Sequence, residues 1–131
     1  MRILVVSRLE VWRIGVASVL SQLLSEVEIV DVVTGTAMLQ ELDGSVSIDL
    51  AILDADAATE EFFRRDLASR DRRRQMPPTI ILASDDAQIS NWQAVLSVAH
   101  VIDKRRPLID FADTVLNVTS DALHRRLRWS Y

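Results

Sequence analysis

The chain has no cysteine in its 131 residues. That excludes a disulfide framework, a thiolate metal site and a cysteine nucleophile. Glycine is scarce, with three residues, and none is spaced to form a loop that cradles phosphate. The two histidines, His100 and His124, are far apart and lack metal-ligand spacing. Neither closes an apolar run beside a candidate nucleophile, so no Ser–His–Asp arrangement is supported. No apolar stretch approaches the roughly 18–20 residues that a membrane span needs. The opening run Met1-Arg2-Ile3-Leu4-Val5-Val6 lacks the small-residue cleavage site of a signal peptide. We therefore expect a cytoplasmic protein with no membrane partner. Lysine is nearly absent too: of fifteen basic residues only Lys104 is one. The net charge of −4 argues against a surface that binds nucleic acid all round.

What is present is an ordinary globular balance, 49% apolar and 26% charged, in a chain long enough for one domain with a core. Five short apolar runs recur: Ile3–Val6, Val27–Val33, Leu50–Leu53, Thr79–Ala83 and Val101–Ile102. Most are continuous, as in strands buried on both faces of a parallel sheet. The second alternates in part and suits an edge strand. Helical patterns fill the gaps. Val11, Trp12, Ile14, Val16, Val19, Leu20, Leu23 and Leu24 form a wide apolar stripe. Thr36 is expected to cap a short helix that stops at Gly44. Thr59 with Glu60 and Glu61 predicts a third helix, with Phe62, Phe63 and Leu67 as its apolar contacts and Arg70 to Arg74 at its end. Ile89, Trp92, Val95 and Leu96 mark a fourth, and Pro107 suits the first turn of a fifth with Leu108, Phe111, Val115 and Leu116 on one face. Strand alternating with helix five times means right-handed βαβ units. Such a sheet places its working residues beyond the carboxyl ends of its strands. Ser7, Asp54, Ser84 and Lys104 (or Asp103) fall there.

These segments resemble the receiver domains of two-component response regulators over about residues 2–118. The resemblance rests on Ile3-Leu4-Val5-Val6, Arg13-Ile14-Gly15-Val16, Asp49-Leu50-Ala51-Ile52-Leu53-Asp54, Ile80-Ile81-Leu82-Ala83-Ser84 and Val101-Ile102-Asp103-Lys104. Arg13-Ile14-Gly15-Val16 is similar to the subgroup whose receivers precede helix-turn-helix domains. The resemblance implies an α/β fold, a flavodoxin-like (βα)₅ three-layer sandwich with parallel sheet order 2-1-3-4-5. It implies Asp54 as the phosphoacceptor, with Ser84 and Lys104 contacting the phosphoryl group. The alternative for Asp54 is a strand-end acid paired with Lys104 that never carries phosphate.

The chain departs from the family in several places. Two acids that hold Mg²⁺ with the phosphoacceptor are replaced by Ser7 and Arg8. Asp56 is a possible helper in a loop that lacks the usual Pro and Gly. Val101 stands where an aromatic usually rotates on activation. A dication about 6 Å from one uncompensated positive charge is opposed by roughly 5 kcal/mol at an effective dielectric near 20. We therefore expect no resident cofactor, with Mg²⁺ relevant only if Asp54 is phosphorylated. Arg8 either takes the metal's place and pairs with Asp54 or points into solvent. A net-positive pocket there would bind sulfate or phosphate weakly.

Residues 1–118 are expected to form the receiver-like domain and residues 119–131 an extension of its last helix or a tail. Trp12, Trp92 and Phe111 are candidate anchors for a dimer or partner interface, or else core residues. The arginine run from Arg64 to Arg74 reads as a solvated helix end rather than a nucleic-acid site, having no interleaved aromatics. The expected function is an atypical receiver. It would be a signalling or transcription-regulatory interaction module, independent of phosphorylation, working through a protein partner or homodimer. DNA would be reached only through a separate domain. The alternative is a working receiver, phosphorylated on Asp54 from a histidine kinase.

Overall fold

The computed structural model describes residues 1–44, 46–57, 77–94 and 100–129, the side chains of residues 121–129 excepted. Five strands form one sheet: β1 Arg2–Val6, β2 Glu28–Val32, β3 Leu50–Asp54, β4 Thr79–Ala83 and β5 His100–Asp103. All neighbours are parallel and the order is β2-β1-β3-β4-β5. The described helices are α1 Glu10–Leu23, α2 Gly35–Leu42, α3 Asp86–Gln93 and α4 Leu108–Trp129. The expected flavodoxin-like order is present, and β2 is an edge strand as its partial alternation indicates. The third helix read from the sequence, its arginine run, and Val95 and Leu96 lie outside the described residues.

The continuous apolar runs are explained by the two faces of the sheet. Successive side chains of a strand point to opposite sides. Ile3, Val5, Leu50, Ile52, Ile80 and Leu82 pack with Val16 and Leu20 of α1 and Phe111 and Val115 of α4. Leu4, Val6, Ala51, Leu53 and Ile81 pack with Met38 of α2 and Trp92 of α3. Helices therefore cover both faces, so each central strand needs an apolar residue at every position. Each fully buried Leu or Ile contributes about 1.5–3 kcal/mol by leaving water.

Local details differ from expectation at two points. The cap of α2 is Thr34 and not Thr36: Thr34 is the last extended residue, and its hydroxyl accepts from Ala37 N–H at 3.1 Å. The two threonines flank a glycine, and only the backbone course decides which one caps. The helix stops at Leu42 with Asp43 as C-cap, one residue before Gly44. Trp92, carried on α3, is 1% exposed and packs as a core residue.

The sheet register fixes what meets at its carboxyl edge. Val6 pairs with Leu53, so Ser7 follows beside Asp54. Asp54 pairs with Leu82, and Ala83 with Asp103, which brings Ser84 and Lys104 to the same edge. Ser7 and Lys104 extend the ladders by one bond each, to Val32 C=O at 3.1 Å and Ala83 C=O at 2.8 Å.

Gly15 sits inside α1, and a Cβ built there meets nothing within 4 Å. Gly15→Ala should therefore raise stability by about 0.5–1 kcal/mol, the usual helical cost of glycine. A shift of the urea midpoint at constant slope checks this.

Candidate functional site

Asp54 ends β3, and its side chain is 1% exposed. A buried carboxylate stays ionised at low cost only if its oxygens are bonded. Lys104 Nζ donates to Oδ1 at 2.6 Å, and Asp56 N–H donates to the same oxygen at 3.1 Å. Ser7 Oγ donates to Oδ2 at 2.9 Å. The tight turn after β3 is closed by Ala57 N–H on Asp54 C=O at 2.9 Å, with Ala55 and Ala57 both buried. Small side chains there let the turn fold back onto the sheet.

Ser7 is itself held from several directions. Its hydroxyl accepts from Leu9 N–H at 3.2 Å, and its carbonyl accepts from Arg13 Nη1 at 2.7 Å. Arg13 thus ties the first turn of α1 to the end of β1. The pairing of Arg8 with Asp54 is not formed. Arg8 is exposed, and among the described residues it pairs with neither Asp54 nor Asp56. Arg8, one residue further into the loop, is exposed, whereas the shorter Ser7 turns in to Asp54. The electrostatic case against a metal from Arg8 is correspondingly weaker. The donor set decides instead.

A second layer lies above the pair. Asp56, with its side chain 50% exposed, accepts from Ser84 Oγ at 3.1 Å and from Gln88 Nε2 at 2.8 Å. Lys104 Nζ lies 3.5 Å from Asp56 Oδ2. Gln88 also accepts from Ser84 N–H at 2.6 Å, so one amide ties α3 to the loop after β3. The Asp56 pKa is held below its ordinary value, chiefly by the Gln88 hydrogen bond, with Ser84 and Lys104 adding to it against the cost of burial. Ser84 therefore bonds Asp56 here. With Asp54 and Asp56 against Lys104, the cluster is not net positive, which removes the premise of the expected weak anion site. Gln88 was missed in the sequence because a lone glutamine on a helix carries no motif. Its position four residues after Ser84 was the available signal.

Trp12 is half-buried on α1, and Lys104 Nζ lies 4.8 Å from its ring centroid. A cation over an indole face gains roughly 0.5–2 kcal/mol. Phe111 is buried between α4 and the sheet. Val101 is partly buried against the core that contains Trp92. His100 is exposed at the start of β5, and His124 has no described side chain. At the far side of Lys104, Arg105 binds Asp103 and Asp86, which lowers the Asp103 pKa.

The residues at this edge do not suit Mg²⁺. Where β1 ends, Ser7 spends its proton on Asp54 and supplies no carboxylate. Among the described residues no group of three or more His, Cys, Asp or Glu is placed to hold a metal ion. No described helix is long and apolar enough to cross a membrane.

No protein-family model matches the chain, and no curated protein matches its sequence. Solved structures do match its fold. A response regulator receiver protein from Pseudoalteromonas atlantica superposes with a TM-score of 0.72 at 19% identity, covering 93% of this chain and 99% of that one. The signal receiver domain of an HD domain-containing protein from Pseudomonas fluorescens Pf-5 gives 0.76 at 19% identity, covering 97% and 92%. The response regulatory domain of protein mrkE from Klebsiella pneumoniae gives 0.76 at 13% identity, covering 95% and 99%. The chain thus has the fold of the response-regulator receiver domain.

Two outcomes test this site. Lys104→Met should cost about 3–5 kcal/mol at neutral pH, because it strands the Asp54 charge. Adding Asp54→Asn should recover much of that loss, and urea unfolding of the two variants checks the coupling. Gln88→Ala should raise the Asp56 pKa toward 3.8, read by NMR titration of its carboxyl. A depressed folded pKa means stability present above the unfolded value and lost as pH falls through the folded one. The variant should therefore lose less stability than the parent below that value. Exposure limits the difference to under about 1 kcal/mol.

Proposed function

We propose that the chain is an atypical receiver, a regulatory interaction module that works without phosphorylation. The observation that carries this reading is the Ser7 hydroxyl hydrogen-bonded to Asp54 Oδ2. In the family the chain resembles, that corner is held by acids and a metal. Here it is held by a neutral donor, and Asp54 is bonded at both oxygens. Such a carboxylate is a poor nucleophile, because its lone pairs face donors rather than an incoming phosphorus. The module passes its signal to a protein partner or a second copy of itself. Transcription enters through a separate DNA-binding domain.

One observation favours the second reading, a phosphorylatable receiver served by a histidine kinase. Asp54, Lys104 and Ser84 do converge at one strand edge. On that reading Ser7 yields its hydrogen bond and Mg²⁺ enters with the phosphoryl donor.

Incubation with acetyl phosphate, with and without Mg²⁺, separates the two by intact mass. No gain in mass is expected. A Mg²⁺-dependent gain of one phosphoryl group, abolished by Asp54→Ala, would overturn the first reading and establish the second.

A further inference from the structure

On the α1/α4 face lies a cleft of about 310 Å³ that the Asp54 site does not use. Leu82 and Ile102 form its floor, and Trp12, Val16 and Phe111 its walls. At Gly15 the α1 wall is open, since a Cβ there meets nothing within 4 Å. At the rim, Val11 is 83% exposed and Leu108 62% exposed. An apolar concavity of this size, with a few polar groups at its mouth, is the usual form of a small-molecule site.

The charges at the mouth define the ligand. Asp103 lines the cleft, but Arg105 binds it through backbone N–H, Nε and Nη2, each at 2.9 Å. Lys104 is matched by Asp54 at 2.6 Å. Arg106 is left with donors to offer: it is 69% exposed and reaches Asp110 only at 4.0 Å. We propose that the cleft binds a small amphipathic anion. Its flat apolar body lies against Trp12 and Phe111, and its carboxylate or sulfonate meets the Arg106 guanidinium, which suits such groups by its fork of donors. A concave floor with one cation at its edge fits a small molecule better than the convex face of a second copy.

The site also has a route to Asp54. Lys104 contacts the Trp12 ring on one side and Asp54 on the other. A ligand that moves Trp12 is one contact from the buried pair. As an input to a regulatory module this rests on the function proposed above; the binding itself does not.

Anilinonaphthalene sulfonate, an aromatic anion, and the neutral phenylnaphthylamine are suitable fluorescent probes for the intact chain. Both should bind saturably at one equivalent to the folded protein. Arg106→Gln should weaken the sulfonate about tenfold, the worth of one charge-assisted hydrogen bond, and leave the neutral dye unchanged. Gly15→Leu should weaken both dyes while the Tm is kept. The proposal is overturned if neither dye saturates on folded protein, or if both variants bind as the parent does. It is also overturned if sedimentation shows a dimer that Gly15→Leu dissociates, for then a second copy fills the cleft. The acetyl phosphate result stands apart. A chain that gains phosphate and binds the dyes keeps the cleft and loses only the phosphorylation-independent reading.

Discussion

The buried ion pair between Asp54 and Lys104 is the constraint around which this structure is arranged. A carboxylate that is 1% exposed cannot remain charged without a close cation. The two residues are 50 apart in sequence, at the ends of β3 and β5, with β4 between them. They meet only because three parallel strands keep one register. Trp12 then closes over the lysine, and the first turn of α1 closes over Ser7. A mispaired strand would leave a bare charge in the core, which penalises register slips strongly.

The site's character follows from which partners that carboxylate has. An acid at the end of β1 would repel Asp54 and invite a cation between them. A serine does the opposite. Its hydroxyl donates to Asp54 and satisfies the oxygen without adding charge. The cluster then contains two carboxylates and one ammonium, spread over three strands and α3 by way of Gln88. Such a network is rigid because each member is bonded at both ends. It resembles a latch more than a reactive centre.

Lys104 also joins two regions that the sheet otherwise separates. Its ammonium belongs to the carboxyl edge, while its stem lines the apolar cleft between α1 and α4. Two exposed apolar residues, Val11 and Leu108, lie at that cleft. An apolar concavity thus lies beside a charged latch, two chemically distinct surfaces sharing one side chain.

Much of this was written in the chain itself. Apolar runs separated by helical stripes determine a parallel α/β sheet, because a strand covered on both faces needs an apolar residue at each position. The ends of those runs name Asp54, Ser84 and Lys104 as neighbours, since a parallel sheet brings its carboxyl ends to one edge. The sequence also named Ser7 as a departure, but not what Ser7 does. Direction belongs to tertiary structure. Ser7 turns inward and Arg8 outward, Thr34 rather than Thr36 caps α2, and Trp92 is buried while Trp12 stays half-open. Each of these depends on where a short side chain or a backbone bond points, and one residue of rotation reverses the answer. Gln88 carries only the faint signal of its spacing from Ser84, and the cleft carries none, because its lining comes from elements far apart in the chain. Pattern determined which residues share an edge; packing decided which of them touch.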